Sequence, residues 1–231
     1  MGSDMSIVDV FSRYVAWLHK HAPLCHANLA PPATSDELAD LEAALGRPLP
    51  ADVRSVLGLH NGQKQAMLAN RIVEAPVTLP TLTFLSTRDI AAIWTEWSEL
   101  RAQTSEGVME DLHAGCRAFR GARGKVKPLY TSPGWIPLWA DPTRPDYIGL
   151  DLDPDAQGTS GQIINFGRNE DRHFVAAPDF AALVQILVDE VESGAWPASE
   201  MPYGKDKLVP WLGAPQASFF EALHRHFEAR G

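Results

Sequence analysis

At 231 residues the chain is long enough to bury a sizeable core, and 45% hydrophobic with 21% charged residues is the balance of an ordinary globular protein. A net charge of -9 argues against general binding to nucleic acid or an anionic membrane, since both draw on a surplus of Lys and Arg. Two cysteines, Cys25 and Cys116, are too few for a disulfide framework, and no apolar run approaches the roughly 18 residues of a membrane span.

The N-terminal MGSDMSIVDV has neither the basic start nor the apolar stretch of a signal peptide, so a cytoplasmic protein is expected. Residues 5–22 read as a first helix, because Ile7, Val10, Phe11, Tyr14, Trp17 and Leu18 recur at three-and-four spacing and make one core-facing side. From Leu29 to Gly62 the punctuation is denser. Pro31 and Pro32 keep the backbone extended, and Thr34 and Glu37 stand at capping-box spacing. Leu38, Leu41 and Leu45 then form a stripe that Gly46 ends in a left-handed turn. Pro48 and Pro50 restart the chain, and Val53, Val56, Leu57 and His60 form a second stripe closed by Asn61-Gly62.

The next stretch predicts an irregular excursion ending in a short strand over 82–85. Ser86 or Thr87 caps a following helix to about Arg101, with Ile90, Ile93, Trp94, Trp97 and Leu100 on its core side. Residues 103–128 have little periodicity but carry Arg117, Arg120, Arg123, Lys125 and Lys127. GARGKVK is not a phosphate loop, because Phe119 and Val126 stand where that loop needs Gly and Ser or Thr. A mobile basic surface loop is expected. From Trp135 the runs WIPLW, YIGLDLD, GQIINF and RHFVAA predict short strands, and their connections are too short for crossover helices, so neighbours should pair antiparallel. Phe180, Leu183, Ile186, Leu187 and Val191 mark a helix opened at Pro178-Asp179 and ended by Gly194. Residues 195–231 read as a Pro-Gly-aromatic wrap and a last helix with Phe219, Phe220, Leu223 and Phe227 on one side.

Chemistry-bearing patterns are sparse. Asp151, Asp153 and Asp155 alternate, which places them on one face of a strand. They do not make a calcium loop, since Ala156 and Gln162 replace its glycine and its bidentate glutamate. His19 and His21 point to different helix faces and cannot grip one ion together. HExxH, CxxC, GxSxG and GxGxxG are all missing from the sequence. Neither a catalytic set, a metal site nor a cofactor site is therefore assigned. Residues 141–175 hold seven acids and three bases (Arg144, Arg168, Arg172), a balance of 3 - 7 = -4. Such a segment is either a solvated sheet rim or an acidic docking surface.

Three ordered segments carry a family resemblance: the proline loop and helix ending in LG, then LPADV and a helix ending in HNGQ; WIPL, YIGLDLDP and GQII; and VAAPDFAAL. Together they resemble the SMI1/KNR4 (SUKH) superfamily over about residues 30–194. The resemblance implies an α+β fold, a mostly antiparallel sheet with helices packed around it. It also implies one domain over 1–231, with the helix 5–22 and the extension 195–231 added to the family-like core.

Bacterial members of that superfamily neutralise polymorphic toxins, and fungal members regulate cell-wall synthesis through protein contacts. Fourteen Arg against six Lys suggests a GC-rich bacterial genome, so the expected function is a non-catalytic immunity protein binding a basic toxin domain. The expected contacts are Trp139, Asp151, Asp153, Asp155 and Asp171, with Arg168 orienting neighbouring acids. No nucleic-acid or membrane partner is expected, and nothing selects an oligomeric state. A regulatory scaffold in envelope signalling is the alternative, and a small-molecule or metal-dependent hydrolase the second.

Overall fold

The computed structural model describes residues 6–64, 66–68, 71–73, 75–143, 145–202, 208–213 and 219–228. The first helix, α1 (Ile7–His21), is capped by Ser6, whose hydroxyl accepts from Asp9 N, and it buries Val10, Phe11, Tyr14 and Leu18. A short α2 (Pro23–Asn28) follows. In α3 (Ser35–Leu45) the Thr34–Glu37 capping box forms in both directions, and Gly46 ends the helix at φ +66°. Helix α4 (Ala51–Leu57) starts directly after Pro50, and an Arg54–Glu42 ion pair ties it to α3.

The HNGQ stretch that closes α4 is a brace. His60 Nδ1 lies 2.8 Å from Ala30 O, and Gln63 Oε1 accepts from Phe84 N. Asn61 accepts from Thr87 N at 2.7 Å and donates to Thr87 Oγ1 at 3.1 Å. Gly62 has φ +72°, and a Cβ there would lie 2.5 Å from the backbone of Leu85 and Ser86. Only glycine fits both the angle and the approach. Segment 63–85, expected to be irregular, contains the hairpin β1 (Ala66–Leu68) and β2 (Arg71–Val73) before β3 (Thr83–Phe84). Ser86, not Thr87, caps α5 (Thr87–Gln103).

Where a mobile loop was expected, the chain forms α6 (Glu106–Gly115), β4 (Arg117–Ala118) and a single 3-10 turn (Arg120–Ala122). Helix α6 buries none of its residues, which is why no apolar stripe announced it. Then come β5 (Trp135–Ala140), β6 (Asp146–Asp151), β7 (Gln162–Gly167), β8 (Arg172–His173), β9 (Val175–Ala177) and α7 (Phe180–Glu192). Asp179 caps α7, and Glu192 pairs with Arg13 of α1. The C-terminal part is not only a wrap: β10 (Ala198–Pro202) and β11 (Leu208–Leu212) pair as an antiparallel ribbon ahead of α8 (Phe219–Glu228). Residues 203–207 and 214–218 of that wrap, the side chain of Phe227 and Arg144 lie outside the described residues.

The main sheet has the order β3-β5-β6-β7-β9, antiparallel at every pairing, so the α+β expectation holds. Its central strands are buried on both faces. Ile136, Leu138, Ile148, Leu150 and Ile163 join a cluster that runs from Val10 in α1 to Phe220 in α8. Trp135, Tyr147, Ile164 and Phe166 join Trp97, Ala122 and Val126 on the other face. Period-two alternation therefore sorts side chains between two covered faces, not between core and water.

Candidate functional site

The six expected contact residues fall into three environments. Trp139 is 2% exposed, with its ring stacked on Phe84 and Phe180 and its Nε1 donating to Thr78 Oγ1 at 2.6 Å. Asp151 is 0% exposed and accepts from Gln162 Nε2 at 2.9 Å and Asp153 N at 3.1 Å. Burial pushes its carboxyl above the usual aspartate range, against the pull of those donors. Neither residue reaches the surface, so neither is a partner contact. Both sheet faces are covered: Trp139 packs against Phe84 and α7, and the opposite face is covered by Trp97 of α5 and by Ala122 and Val126.

Nor do the three alternating aspartates share a face. The strand stops at Asp151; Asp153 turns outward to pair with Lys127 Nζ at 2.6 Å, and Asp155 Oδ1 accepts from Ala156 N. Arg168 and Asp171, both exposed, follow the far end of β7, where Gly167 pairs with Asp146. The β6–β7 ladder thus separates them from Asp153 and Asp155 by five residue steps, roughly 17 Å at a strand's rise. The structure does not bring the six together.

The acidity of the 141–175 segment is matched locally by the basic segment 117–127. Lys125 O accepts from Asp155 N at 3.0 Å and Gly124 O from Gln157 N at 2.7 Å, which lays that basic segment along the acidic turn. At the other end Arg117 N donates to Asp171 O and Phe119 N to His173 O, so β4 and β8 run parallel with Arg117 opposite Arg172. Here a cavity of about 640 Å3 opens, lined by Arg117, Arg120, Arg123, Arg172, Asp171 and Phe119. Sequence spacing could not show it, because Arg117 and Arg172 belong to strands 55 positions apart by the pairing register. A smaller concavity, about 490 Å3, lies between the ends of α1 and α7, with Trp17, His21 and Glu192 on its walls.

Beneath the arginine cavity lies a polar knot. Asn165 Nδ2 donates to Glu170 and to Arg172 O, Asn165 Oδ1 accepts from Phe174 N, and His224 Nε2 lies 2.8 Å from Glu170 Oε2. His173, fully buried, has Nε2 2.8 Å from Leu129 O and Nδ1 3.2 Å from Asn165 O. Burial lowers its pKa, opposed by those carbonyls and by the charges of Glu170 and Asp171. A group held below its unfolded pKa of about 6.5 stabilises the fold above that pH and loses the contribution as pH falls. The urea midpoint should therefore drop from pH 7.5 to pH 5, with His173 contributing at most about 1.4 kcal/mol per pH unit. His173→Gln should show a shallower drop than the wild type; equal slopes would remove His173 from this role.

The remaining candidates have structural settings. His19 meets His26 edge-on at 4.9 Å, and His21 stacks on Trp17 at 5.0 Å. Both cysteines are buried, and burial pushes the Cys25 thiol up to about 12 and the Cys116 thiol to about 11. Among the described residues, no group of three or more His, Cys, Asp or Glu is placed to hold a metal ion, and no helix is long and apolar enough to cross a membrane.

Comparison with known proteins settles the kinship. The chain is 27% identical over 252 residues to a KNR4/SMI1 homolog of Yarrowia lipolytica, covering 93% of this chain and 34% of the relative. It is 29% identical over 194 residues to the cell wall biosynthesis/cell cycle regulator smi1 of Schizosaccharomyces pombe (84% and 38%). It is 26% identical over 204 residues to the cell wall assembly regulator SMI1 of Saccharomyces cerevisiae (78% and 39%). The chain spans little more than a third of the length of these curated relatives. They overturn the expected toxin-neutralising role, because the relatives are fungal and those named for a role are regulators of the cell wall or of glucan synthesis; the expected bacterial, immunity-type membership has no support among them. Residues 32–185 match the model of one family, close to the 30–194 marked by the motifs, and the chain belongs to the SMI1 / KNR4 family (SUKH-1).

Proposed function

We propose that this chain is a regulatory, non-catalytic domain, as the names of its fungal relatives suggest, and that it acts by binding another protein. The observation that carries the reading is the match over 78–84% of this chain to proteins named as regulators of cell-wall assembly or biosynthesis. Two features agree with it. The motifs HNGQ and WIPL are spent on bracing and core, which leaves function to the surface. The continuous buried cluster from α1 to α8 fits a single folded unit over 1–231. Of the residues first expected at the contact, Asp153, Asp155, Arg168 and Asp171 remain available for a partner, and a cytoplasmic location remains part of the proposal.

The test is a chimera. Replacing the matching segment of the Saccharomyces cerevisiae regulator with this chain should preserve growth under a cell-wall-perturbing dye, and affinity capture should return a protein partner. A folded, well-expressed chimera that neither protects the cells nor captures any protein above control overturns the proposal.

A further inference from the structure

The geometry points to a second property, independent of the regulatory reading: we propose that the arginine cavity between β4, the 3-10 turn and β8 is a binding site for a phosphate monoester. Four of the chain's fourteen arginines line this one cavity, in a chain whose net charge is -9. Their convergence is dictated by backbone. The parallel β4–β8 pair sets Arg117 directly beside Arg172, a like-charge neighbour that costs free energy unless an anion sits nearby. Arg120 opens the 3-10 turn and Arg123 follows it directly, and both line the cavity.

Arg172 is held in place, its guanidinium carbon 4.2 Å from the centre of the Phe119 ring. Among the described residues, Arg117, Arg120 and Arg123 pair with no carboxylate. Among the described residues that line the cavity, Asp171 is the single acid.

This arrangement selects for a compact dianion. Planar guanidinium groups donate in pairs to phosphate oxygens, and several converging on one point suit a terminal phosphate better than a single negative charge. Asp171 adds an acceptor for a hydroxyl or amide N–H carried beside the phosphate. A volume of about 640 Å3 exceeds what a bare anion fills and lies within the roughly 300–1,000 Å3 of small-ligand clefts, so the phosphate arrives on an organic body. A nucleic-acid backbone fits less well: it is read by an extended basic track, and here the arginines converge on one cavity with Asp171 on its wall.

The experiment is calorimetric titration of the full chain with inorganic phosphate, a phosphoserine peptide, its unphosphorylated form and an oligothymidylate, all at the same salt concentration. Saturable binding of the phosphate probes is expected, with the unphosphorylated peptide weaker by about tenfold or more. The double variant Arg120→Gln/Arg123→Gln, both exposed positions, should lose about tenfold in affinity while keeping its melting curve, whereas Arg88→Gln on α5 should change it by less than about twofold. If the phosphopeptide binds far more tightly than inorganic phosphate, the natural source is a phosphorylated protein; if the two bind alike, it is a small phosphate ester. Absence of saturable binding by both phosphate probes overturns the site. So does tighter binding of the oligothymidylate, or an equal loss in Arg88→Gln.

Discussion

Gly149→Ala will destabilise the protein by about 3 kcal/mol or more, read as a fall in the urea midpoint with an unchanged slope. A Cβ at this position would lie 2.0 Å from Ile136 O and 3.0 Å from Pro137 Cα. The obstacle is backbone in the neighbouring strand, not the end of a side chain that could swing away. Pro137 cannot donate to the ladder, and the β5–β6 register shifts between Pro137 and Trp139, which draws the two backbones together opposite Gly149. The close approach holds Ile136 and Leu138 against the helices while Trp135 fills the other face. Gly107→Ala in α6 is the matched control: nothing lies within 4 Å of its added Cβ, so stability should hold or rise by up to about 1 kcal/mol. Gly149→Ala within about 1 kcal/mol of wild type would mean that the bulged pairing is wrong.

How much of this was legible beforehand depends on where the physics is local. The Thr34–Glu37 box, the Gly46 stop and the proline restart are decided within a few residues, and all appear as read. The same holds for α1, α5 and α7, whose buried faces repeat at helical spacing. What failed was non-local. Helix α6 buries nothing, so its periodicity is silent. Asp151 reads in sequence as one of three surface acids, and only the covering of the second sheet face by Trp97, Ala122 and Val126 buries it. The arginine cavity depends on a pairing between β4 and β8 that no short window contains. The conspicuous residues of the HNGQ motif fasten α4 to α5 and β3, so it marks the fold and says nothing of the partner.

Trp139 is the sharpest instance of that distinction, and its replacement separates the two roles it was given. Trp139→Ala should cost about 3–5 kcal/mol, because the indole fills the space between Phe84 of β3 and Phe180 of α7, 5.6 and 6.0 Å from their ring centres. Trp139→Phe keeps a ring in that stack but removes the donor to Thr78, itself 1% exposed. It should lose about 1–3 kcal/mol, the cost of leaving a buried hydroxyl without its partner and a smaller ring in the gap. The difference between the two variants then divides packing from hydrogen bonding at one site. Because β3 pairs with β5 over just Thr83–Ala140 and Phe84–Trp139, extended by the Leu85 N to Leu138 O bond, hydrogen exchange should also quicken in the β3 edge strand of the alanine variant. An alanine variant as stable as wild type, yet unable to hold a protein partner, would return Trp139 to the surface.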